Sequence, residues 1–531
     1  MQIARRARRV ATGAAPGTAP GTGTGIGIDN EVAGNAHSHI LASRRAAGGL
    51  LPERRVAPAE GAEYEDEQRC RTRFRRTPRA EGTAESWSLP APLSERLDAG
   101  RRLRRRLPRR LLGELSNGPR DPLGIIEQQN AGRRQDLVPL RTSRMSQSPF
   151  AFYRGTAAIM AADFSAEERS ELLVPACGDA HLSNFGFYAS PQRTLVFDLN
   201  DFDEAAWAPW EWDLKRLVAS AVIAGQAGSR DEAAIRSTVL GAVRSYAFAL
   251  RKAVGMSPRD RFYTHLDADG GSSGLHPQSQ KVLRRAVKQA KKHTGERAAR
   301  RLTAPDPDGR LRFIEQPPTM VRIDPELRDR QVHLVRRYLD TANADIRLLL
   351  RHYVVSDAIR RVVGVGSVGT RCALSLFQDG DGNAMILQSK EAGRSVLEQY
   401  GGIPQPRAVN EVVAARGEGA RVVALQRVLQ AVSDPFLGYL RFDEVDLYVR
   451  QFHDMKGGID ADELEDEPFE TYSRACAVTL ARAHGQSPLS SMISGYVGRG
   501  RRLGEVLLEW AYAYAARSRA DYDAFVTAQT R

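Results

Sequence analysis

The 531-residue sequence has few cysteines and no long apolar run. Its four cysteines, Cys70, Cys177, Cys372 and Cys476, lie far apart and include no C-x-x-C pair, which excludes the usual patterns of a zinc site or a disulfide framework. Unpaired thiols are typical of a reducing compartment, so we expect a cytoplasmic protein. No stretch of about 18 apolar residues occurs, and we therefore expect no transmembrane segment.

Lysine is also scarce, with eight Lys against 69 Arg. The formal net charge of +13 suggests a nucleic-acid-binding protein at first sight. However, residues 1–120 hold 23 Arg against 13 Asp and Glu, so most of the positive charge belongs to the N-terminal region. We therefore do not expect nucleic acid as the main partner. A protein that binds RNA or a membrane surface through this basic region is kept as an alternative.

Composition divides the chain into four parts. Residues 1–90 are rich in Ala, Gly, Pro, Thr and Arg without sustained periodicity, which predicts a disordered tail. Residues 91–352 are predicted to form a mainly helical large lobe, residues 353–460 a small β-rich lobe, and residues 461–531 C-terminal helices that pack on the large lobe. The predicted fold class is α+β, with more than one lobe because a single core stops growing near about 250–300 residues.

Acidic and amide side chains are concentrated between residues 177 and 204. Two short apolar runs, 172–176 and 195–197, precede the main polar groups of this stretch. Such runs are typical of buried strands. Polar side chains that lie where buried strands end are good candidates for catalytic or ligand-binding residues.

These polar groups have the spacing that phosphoryl transfer needs. Asp179 and Asn184 are separated by a loop-like Ala-His-Leu-Ser, and Asp198 follows the second apolar run. One carboxylate must orient the acceptor hydroxyl and take its proton, while an amide oxygen and a second carboxylate hold Mg²⁺ against the phosphates. Asp201 and Asp203 are alternatives to Asp198, since the three acids lie within six residues.

The motif Gly178-Asp179-x-His181-x-x-Asn184 resembles the catalytic loop of the aminoglycoside phosphotransferase and choline kinase branch of the kinase-like superfamily. Val196-Phe197-Asp198 is similar to the metal-binding strand end of that branch, and Trp212-Asp213-Leu214 is similar to the start of its following helix.

This resemblance implies roles for individual residues. Asp179 and His181 would belong to the catalytic group, with Asp179 as the acceptor of the proton. Asn184 would bind Mg²⁺ together with Asp198 or Asp201. The cofactors implied are ATP and Mg²⁺.

A glycine-rich segment from Gly364 to Gly369 is followed by an alternating apolar strand, a polar turn and a second strand that ends near Lys390. A dinucleotide-binding unit would need a helix directly after the glycines and an acidic residue about 20 positions on. The hairpin and the lysine instead match a kinase small lobe, where a glycine loop covers the phosphates and a lysine neutralises them. Gly364, Gly366, Ser367, Gly369 and Lys390 are therefore predicted to bind ATP.

Kinase-like sites pair this lysine with a glutamate. Three glutamates follow Lys390 on helical or near-helical sequence, and these are Glu398, Glu411 and Glu418. Glu411 is ranked first because of its distance from Lys390 along the chain, and the other two are kept open.

The order of these parts is reversed relative to kinase-like proteins, in which the glycine loop and the lysine precede the catalytic loop. A circular permutation explains the reversal, because packing does not depend on where a ring is opened when the old termini lie close together. We therefore expect a circularly permuted, two-lobed kinase-like fold. The alternative is ordinary topology with residues 121–176 as the small lobe, although this segment contains neither a glycine loop nor a lysine.

The phrases Asp121-Pro-Leu-Gly-Ile-Ile and Ser148-Pro-Phe-Ala-Phe-Tyr, together with the acidic and glycine-rich stretches, resemble an uncharacterised bacterial family known as domain of unknown function 2252. The resemblance covers roughly residues 121–524 and implies no activity. From the residues we expect an ATP- and Mg²⁺-dependent phosphotransferase that acts on an unidentified hydroxyl-bearing small molecule. A kinase-like nucleotidyltransferase and a nucleotide-binding pseudo-enzyme are the alternatives within the same fold; neither the acceptor nor the oligomeric state follows from the sequence.

Overall fold

Helices dominate both ends of the part of the chain that the structure describes, and most strands lie between them. The computed structural model describes residues 89–268, 274–323, 330–362, 364–452 and 454–529, without the side chain of Gln331. The predicted disordered tail, residues 1–90, falls outside these residues except for its last two positions.

The α-helices of the described residues are α1 (Leu93–Arg106), α2 (Pro122–Ala131), α3 (Val138–Met145), α4 (Pro149–Arg154), α5 (Ala157–Ser165), α6 (Trp210–Ala227), α7 (Glu232–Val254), α8 (Pro258–Tyr263), α9 (Pro277–Lys292), α10 (Gly295–Leu302), α11 (Gln331–Thr341), α12 (Ala344–Leu349), α13 (Val396–Gln399), α14 (Arg407–Arg416), α15 (Glu418–Leu429), α16 (Asp466–His484), α17 (Ser490–Val497) and α18 (Arg501–Gln529). The strands are β1 (Leu173–Ala176), β2 (Phe185–Ala189), β3 (Leu195–Leu199), β4 (Ala206–Pro209), β5 (Thr303–Pro305), β6 (Leu311–Phe313), β7 (Met320–Arg322), β8 (Val354–Arg361), β9 (Cys372–Gln378), β10 (Ala384–Glu391), β11 (Gly438–Phe442) and β12 (Val445–Gln451).

The largest sheet has six strands in the order β11–β12–β10–β9–β8–β7, and all neighbours are antiparallel. Three two-stranded pairs, β1–β4, β2–β3 and β5–β6, accompany it. The predicted α+β class is confirmed. The six-stranded sheet takes its first strand from residues 320–322, so it begins before the boundary that composition placed at residue 353.

The six-stranded sheet is buried on both faces. Because side chains alternate along a strand, Leu374 and Leu376 of β9 face one core with Ile386, while Phe377 faces the other core with Leu387. Helix α10 contributes to the first of these cores, and α11 and α12 contribute to the second. The predicted hairpin of alternating strands after the glycine-rich segment is confirmed as β9 and β10.

Helix α6 is the centre of the helical part of the molecule. Its residues 210–225 are all buried, and α7, α16 and α18 pack around it. Two of its charged side chains are satisfied inside the core, where Glu211 accepts from the Ser170 backbone at 2.6 Å and Lys215 bonds Glu167 at 2.6 Å. Buried charges are tolerated when they are paired. The two other charged residues in the first half of α6, Asp213 and Arg216, form hydrogen bonds with the candidate site described below.

Several local predictions agree with the structure. The apolar runs at 172–176 and 195–197 form β1 and β3. The three cysteines in the described part of the chain are buried and form no disulfide. None of the described helices is long and apolar enough to cross a membrane.

Candidate active site

The loop from Cys177 to Asn184 is held by side chains of two helices. Asp213 of α6 accepts hydrogen bonds from the backbone nitrogens of Cys177 at 2.7 Å and Gly178 at 2.9 Å. Ser220, two turns further along α6, accepts from the Leu182 nitrogen at 3.1 Å. The loop conformation is therefore fixed by α6 before any ligand binds.

Helix α16 supports the same loop from the opposite end of the chain. Tyr472 donates to the Leu182 carbonyl at 2.7 Å. His484 places Nε2 3.2 Å from Asp213 Oδ2, and its Nδ1 lies 2.8 Å from the hydroxyl of Tyr246. Asp213 is thus itself positioned by a buried hydrogen-bonded chain, which makes its hold on the loop rigid.

A glycine is required at position 178, where the loop lies against the backbone of Glu204. Its φ is +81°, and a Cβ at this position would lie 2.4 Å from the backbone oxygen of Glu204. Only glycine avoids both the backbone strain and the collision. The chain therefore places Asp179 immediately after an obligatory glycine.

Asp179 is oriented by Arg216 of α6. Oδ1 of Asp179 lies 2.8 Å from Nε and 2.6 Å from Nη2 of this arginine, whose guanidinium packs 4.0 Å over the Tyr153 ring. The Asn184 side-chain nitrogen donates to the Asp179 carbonyl at 2.7 Å. Asp179 keeps about a fifth of its side chain exposed, toward a cavity. The geometry presents one carboxylate oxygen to whatever occupies that cavity.

His181 lies beside this carboxylate and is almost fully buried. Its Nε2 is 3.5 Å from Oδ2 of Asp179. Burial lowers the pKa of His181 to about 4, against the opposing effect of Asp179. The imidazole is therefore neutral at pH 7, and its buried Nδ1 has no hydrogen-bond partner among the described residues.

The three acids after β3 occupy different positions. Asp198 is buried, and its two oxygens accept from the backbone nitrogens of Leu199 at 2.8 Å and Ala431 at 2.7 Å. Asp198 contributes to neither of the two cavities described below. The prediction that Asp198 is the metal ligand therefore needs correction, because β3 continues to Leu199 and turns this carboxylate into the protein. Asp201 is the residue of the acidic stretch that faces both cavities.

Lys390 of β10 meets these acids directly. Its Nζ is 3.3 Å from Asp201 Oδ1 and forms a close ion pair with Asp203, which also accepts from the Tyr448 hydroxyl at 2.5 Å. Burial favours the neutral amine, but the two carboxylates outweigh it and raise the pKa of Lys390 well above its usual value. Residues 189 positions apart in the chain are thus joined across the cleft between sheet and helices.

The structure does not bring Glu411 to Lys390. Glu411 lies on the exposed face of α14 and pairs with Arg407 at 2.7 Å. The two alternatives are also engaged elsewhere, since Glu398 pairs with Arg394 and Glu418 with Arg421. Asp201 and Asp203 are the carboxylates that face the lysine.

The glycine-rich loop connects β8 and β9 and lies over the cleft. Gly364 and Gly369 have φ values of +67° and +91°, which other residues rarely adopt. The loop is tied to the helical part by Arg144, which donates to the Gly364 oxygen, and by the backbone nitrogen of Arg134, which donates to the Gly369 oxygen at 2.9 Å. Arg133 donates to the Val368 oxygen at 2.5 Å.

Two cavities meet beneath this loop. The first, of about 390 Å³, lies between the sheet and the β2–β3 hairpin, and the second, of about 360 Å³, lies between the glycine loop, α13 and the loop that carries Asp179. Both are lined by Asp201, Gly364 and Ser367. The first cavity contains Lys390, and the second contains Asp179, His181, Asn184, Asp203 and Gly366.

Three further cationic residues line the first cavity and were not predicted from the sequence: Arg193, which pairs with Asp454, and also Arg450 and Lys456. Arg450 of β12 donates to Gln388 at 3.0 Å and to the Asn200 carbonyl at 3.3 Å. Lys456 follows β12, and burial, with a smaller contribution from Arg450, lowers its pKa to about 7. The lysine scarcity that drew attention to Lys390 applies equally to Lys456. Arg216 was also not predicted as a site residue, although it lies one helical turn after Asp213.

The donor set suits Mg²⁺ but not an all-protein metal cage. No group of three or more His, Cys, Asp or Glu is arranged to hold a metal within the part of the chain that the structure describes. Mg²⁺ is commonly bound by one or two carboxylates together with substrate phosphates and water. Asn184, Asp201 and Asp203 line the second cavity and provide such a set. Lys390, Arg450 and Lys456 lower the pKa of Asp201 to about 2, although burial acts to raise it.

Comparison with known proteins gives a family match. Residues 133–528 match the model described as "Uncharacterized protein conserved in bacteria (DUF2252)". A comparison with curated proteins found no match. A comparison with solved structures also found none.

Proposed function

The chain belongs to this bacterial family of uncharacterised proteins, and we propose that it is an ATP- and Mg²⁺-dependent phosphotransferase that transfers a phosphoryl group to a hydroxyl-bearing small molecule. The observation that carries the proposal is the junction of two cavities at Asp201 beneath a glycine loop. One cavity contains the buried Lys390, and the other contains Asp179. Phosphoryl transfer needs this arrangement of a donor chamber and an acceptor chamber that share one wall.

The first cavity is the proposed nucleotide chamber. Lys390, Arg450 and Lys456 place three cations along it, and the glycine loop closes it. Preorganised cations stabilise the negative charge of a transferring phosphoryl group, and backbone nitrogens of a glycine loop can approach phosphate oxygens closely. Asn184, Asp201 and Asp203 are the residues that would hold Mg²⁺. The metal, when bound, supplies charge neutralisation at the phosphates.

The second cavity is the proposed acceptor chamber. Asp179, held by Arg216, presents a carboxylate oxygen that can orient a hydroxyl group and accept its proton. General-base assistance of this kind contributes about 10²–10⁴-fold to a rate. His181 is neutral at pH 7, so its contribution is a hydrogen bond rather than a charge.

A permuted kinase-like fold accounts for the order of these parts. The glycine loop lies between two antiparallel strands and the lysine lies on the next one, which is the small-lobe layout of protein kinases. Residues 454–457 leave the sheet and pair with β2, where Phe187 and Gly457 exchange backbone hydrogen bonds of 2.7 and 3.0 Å. Helix α16, near the end of the chain, reaches the loop of Asp179 through Tyr472. These connections support a ring opened between α16 and that loop.

The test is nucleotide consumption in the presence of fractionated bacterial metabolites, followed by mass analysis of the products. The proposal expects ADP and an acceptor heavier by one phosphoryl group. AMP with a nucleotidylated acceptor would instead identify a nucleotidyltransferase. Binding of MgATP without turnover in any fraction would indicate a pseudo-enzyme and overturn the catalytic part of the proposal.

A further inference from the structure

Two arginines of the second cavity lack a carboxylate partner. The side chain of Arg154, the last residue of α4, is half-buried and forms no hydrogen bond or ion pair with a described residue, and its Nε is buried. Asp462 is near enough to be influenced by its charge but forms no ion pair with it. Arg133 is half-buried and donates to a backbone oxygen, that of Val368. The cavity therefore contains two guanidinium groups with unused hydrogen-bonding capacity.

The other charged side chains of this cavity are already compensated. Their partners are Arg216 for Asp179, Lys390 with the nearby Arg450 for Asp201 and Asp203, Arg371 for Glu391, and Glu398 for Arg394. The remaining acid, Glu204, accepts from the Val396 nitrogen at 2.8 Å. Arg133 and Arg154 are therefore the cationic side chains of this cavity without an ion-pair partner among the described residues.

We propose that this cavity binds the acceptor through an anionic group, a carboxylate or a phosphate, held by Arg154 and Arg133 while the acceptor hydroxyl lies at Asp179. A half-buried guanidinium that faces a cavity without an anionic partner can form charge-assisted hydrogen bonds with an anionic ligand. The planar fork of arginine suits both carboxylate and phosphate oxygens. The cavity volume of about 360 Å³ is in the range of small-molecule sites.

The inference rests on the proposed function and adds a substrate class to it. The acceptor is a small hydroxyl compound with a negative charge, rather than a neutral or cationic alcohol. Arg154 is the cleaner of the two arginines for a test, because its removal breaks no hydrogen bond with the described residues. Arg133 also anchors the glycine loop at Val368, so its removal would disturb the nucleotide chamber as well.

The experiment is a calorimetric titration of the full chain in two steps. The protein is first saturated with Mg²⁺ and a non-hydrolysable ATP analogue. It is then titrated with each of three probes at constant ionic strength. The probes are glycerate for a carboxylate, glycerol phosphate for a phosphate, and glycerol as the neutral control. We expect saturable binding of one or both anions and none of glycerol. Arg154→Gln should weaken anion binding by about 10- to 100-fold, the loss expected for one charge-assisted hydrogen bond. Arg407→Gln, an exposed arginine on α14, should bind as the unmodified protein does.

Thermal unfolding provides the second readout. Arg154→Gln should leave the melting temperature of the ligand-free protein unchanged or slightly raised, because it removes a half-buried charge that has no partner among the described residues. Equal binding of glycerol and the anions, no binding of either anion, or an unchanged anion affinity in Arg154→Gln would overturn the substrate class. Failure of the ATP analogue to bind in the first titration would instead contradict the proposed function itself.

Discussion

At the scale of single residues, neighbouring carboxylates have different roles. Asp179 faces the second cavity, Asp201 faces both cavities, and Asp198 accepts hydrogen bonds from two backbone nitrogens inside the protein. Substitution by asparagine keeps the shape of each side chain and removes its charge. The three variants should therefore fail in three distinguishable ways.

Asp179→Asn tests the proton acceptor. Turnover, once an acceptor is identified, should fall by about 10²–10⁴-fold, because the amide cannot take a proton. The affinity for MgATP should stay within a few fold, since Asp179 lies in the other chamber. Steady-state kinetics and calorimetry check the two expectations separately. Lower stability with unchanged turnover per folded molecule would make Asp179 a structural residue.

Asp198→Asn and Asp201→Asn form a matched pair. Asp198→Asn should reduce the free energy of unfolding by about 1–3 kcal/mol, because one buried backbone nitrogen loses its acceptor. Asp201→Asn should instead weaken Mg²⁺-dependent nucleotide binding. Chemical denaturation and Mg²⁺ titrations separate the two effects. Loss of Mg²⁺ dependence in Asp198→Asn alone would make Asp198 the metal ligand after all.

Lys456 makes a prediction about pH. Its pKa is lowered from 10.5 to about 7 in the folded protein. Between these two pH values the folded state therefore binds fewer protons than the unfolded state. The shift lowers the free energy of unfolding by its full amount below pH 7, and this loss becomes smaller as the pH rises toward 10.5. Phosphates in the first cavity favour the charged amine, so nucleotide binding above pH 7 should take up protons.

The uptake can be measured by calorimetry in buffers of different ionisation enthalpy. The affinity for MgATP should decrease as the pH rises above 7, since protonation then becomes more costly. Lys456→Gln should remove most of the proton uptake. The same uptake in this variant would show that another group is responsible.

At the scale of elements, periodicity was a good guide because it reports local burial. Strands β1 and β3 and the β9–β10 hairpin lie where apolar runs and alternation predicted them. The loop of Asp179 could also be predicted, since Asp179 and Asn184 lie within six residues and their geometry is local.

Long-range geometry was harder to predict. Distance along the chain favoured Glu411 as the partner of Lys390, but α14 turns that side chain to solvent. The acids that meet Lys390 come from a segment nearly 190 residues earlier, and no local pattern encodes that contact. Asp198 was misassigned because one or two extra residues in β3 decide which side chain faces inward.

Gly178 tests how the loop of Asp179 depends on close packing. Gly178→Ala should destabilise the loop and reduce turnover strongly, because it adds both positive-φ strain and a collision with the Glu204 oxygen. Gly402→Ala is the control, since Gly402 has a φ of +63° and a methyl group added there would meet no atom within 4 Å. The control should lose only the strain energy, about 1–2 kcal/mol. An equal loss of stability in the two variants would show that close packing against the Glu204 oxygen is not the reason for a glycine at position 178.

At the scale of the whole molecule, the basic N-terminal region can be separated from the site. Part of its arginine run is structural, since Arg104 and Arg109 donate to the Tyr496 carbonyl at 2.9 and 3.0 Å. Leu112 belongs to the main core, so a truncation to residue 120 would damage the fold. Removal of residues 1–88 is the appropriate test.

This truncation should leave the MgATP-dependent shift in melting temperature unchanged. A ligand at 100 times its dissociation constant adds about 2.7 kcal/mol to the free energy of unfolding, which is readily seen in a melting curve. Loss of that shift on truncation would connect the N-terminal region to nucleotide binding. RNA or vesicle binding lost with the truncation would support the alternative function of that region.

The central claim is that Lys390 and the acids around it form a nucleotide site, and calorimetric titration with MgATP tests it most directly. We expect saturable binding that requires Mg²⁺ and becomes about 10- to 100-fold weaker in Lys390→Ala, as for the loss of a charge-assisted hydrogen bond. Lys252→Ala, which removes an exposed lysine of α7, should bind normally. Absence of MgATP binding to the unmodified protein, or equal affinity in Lys390→Ala and Lys252→Ala, would contradict the account.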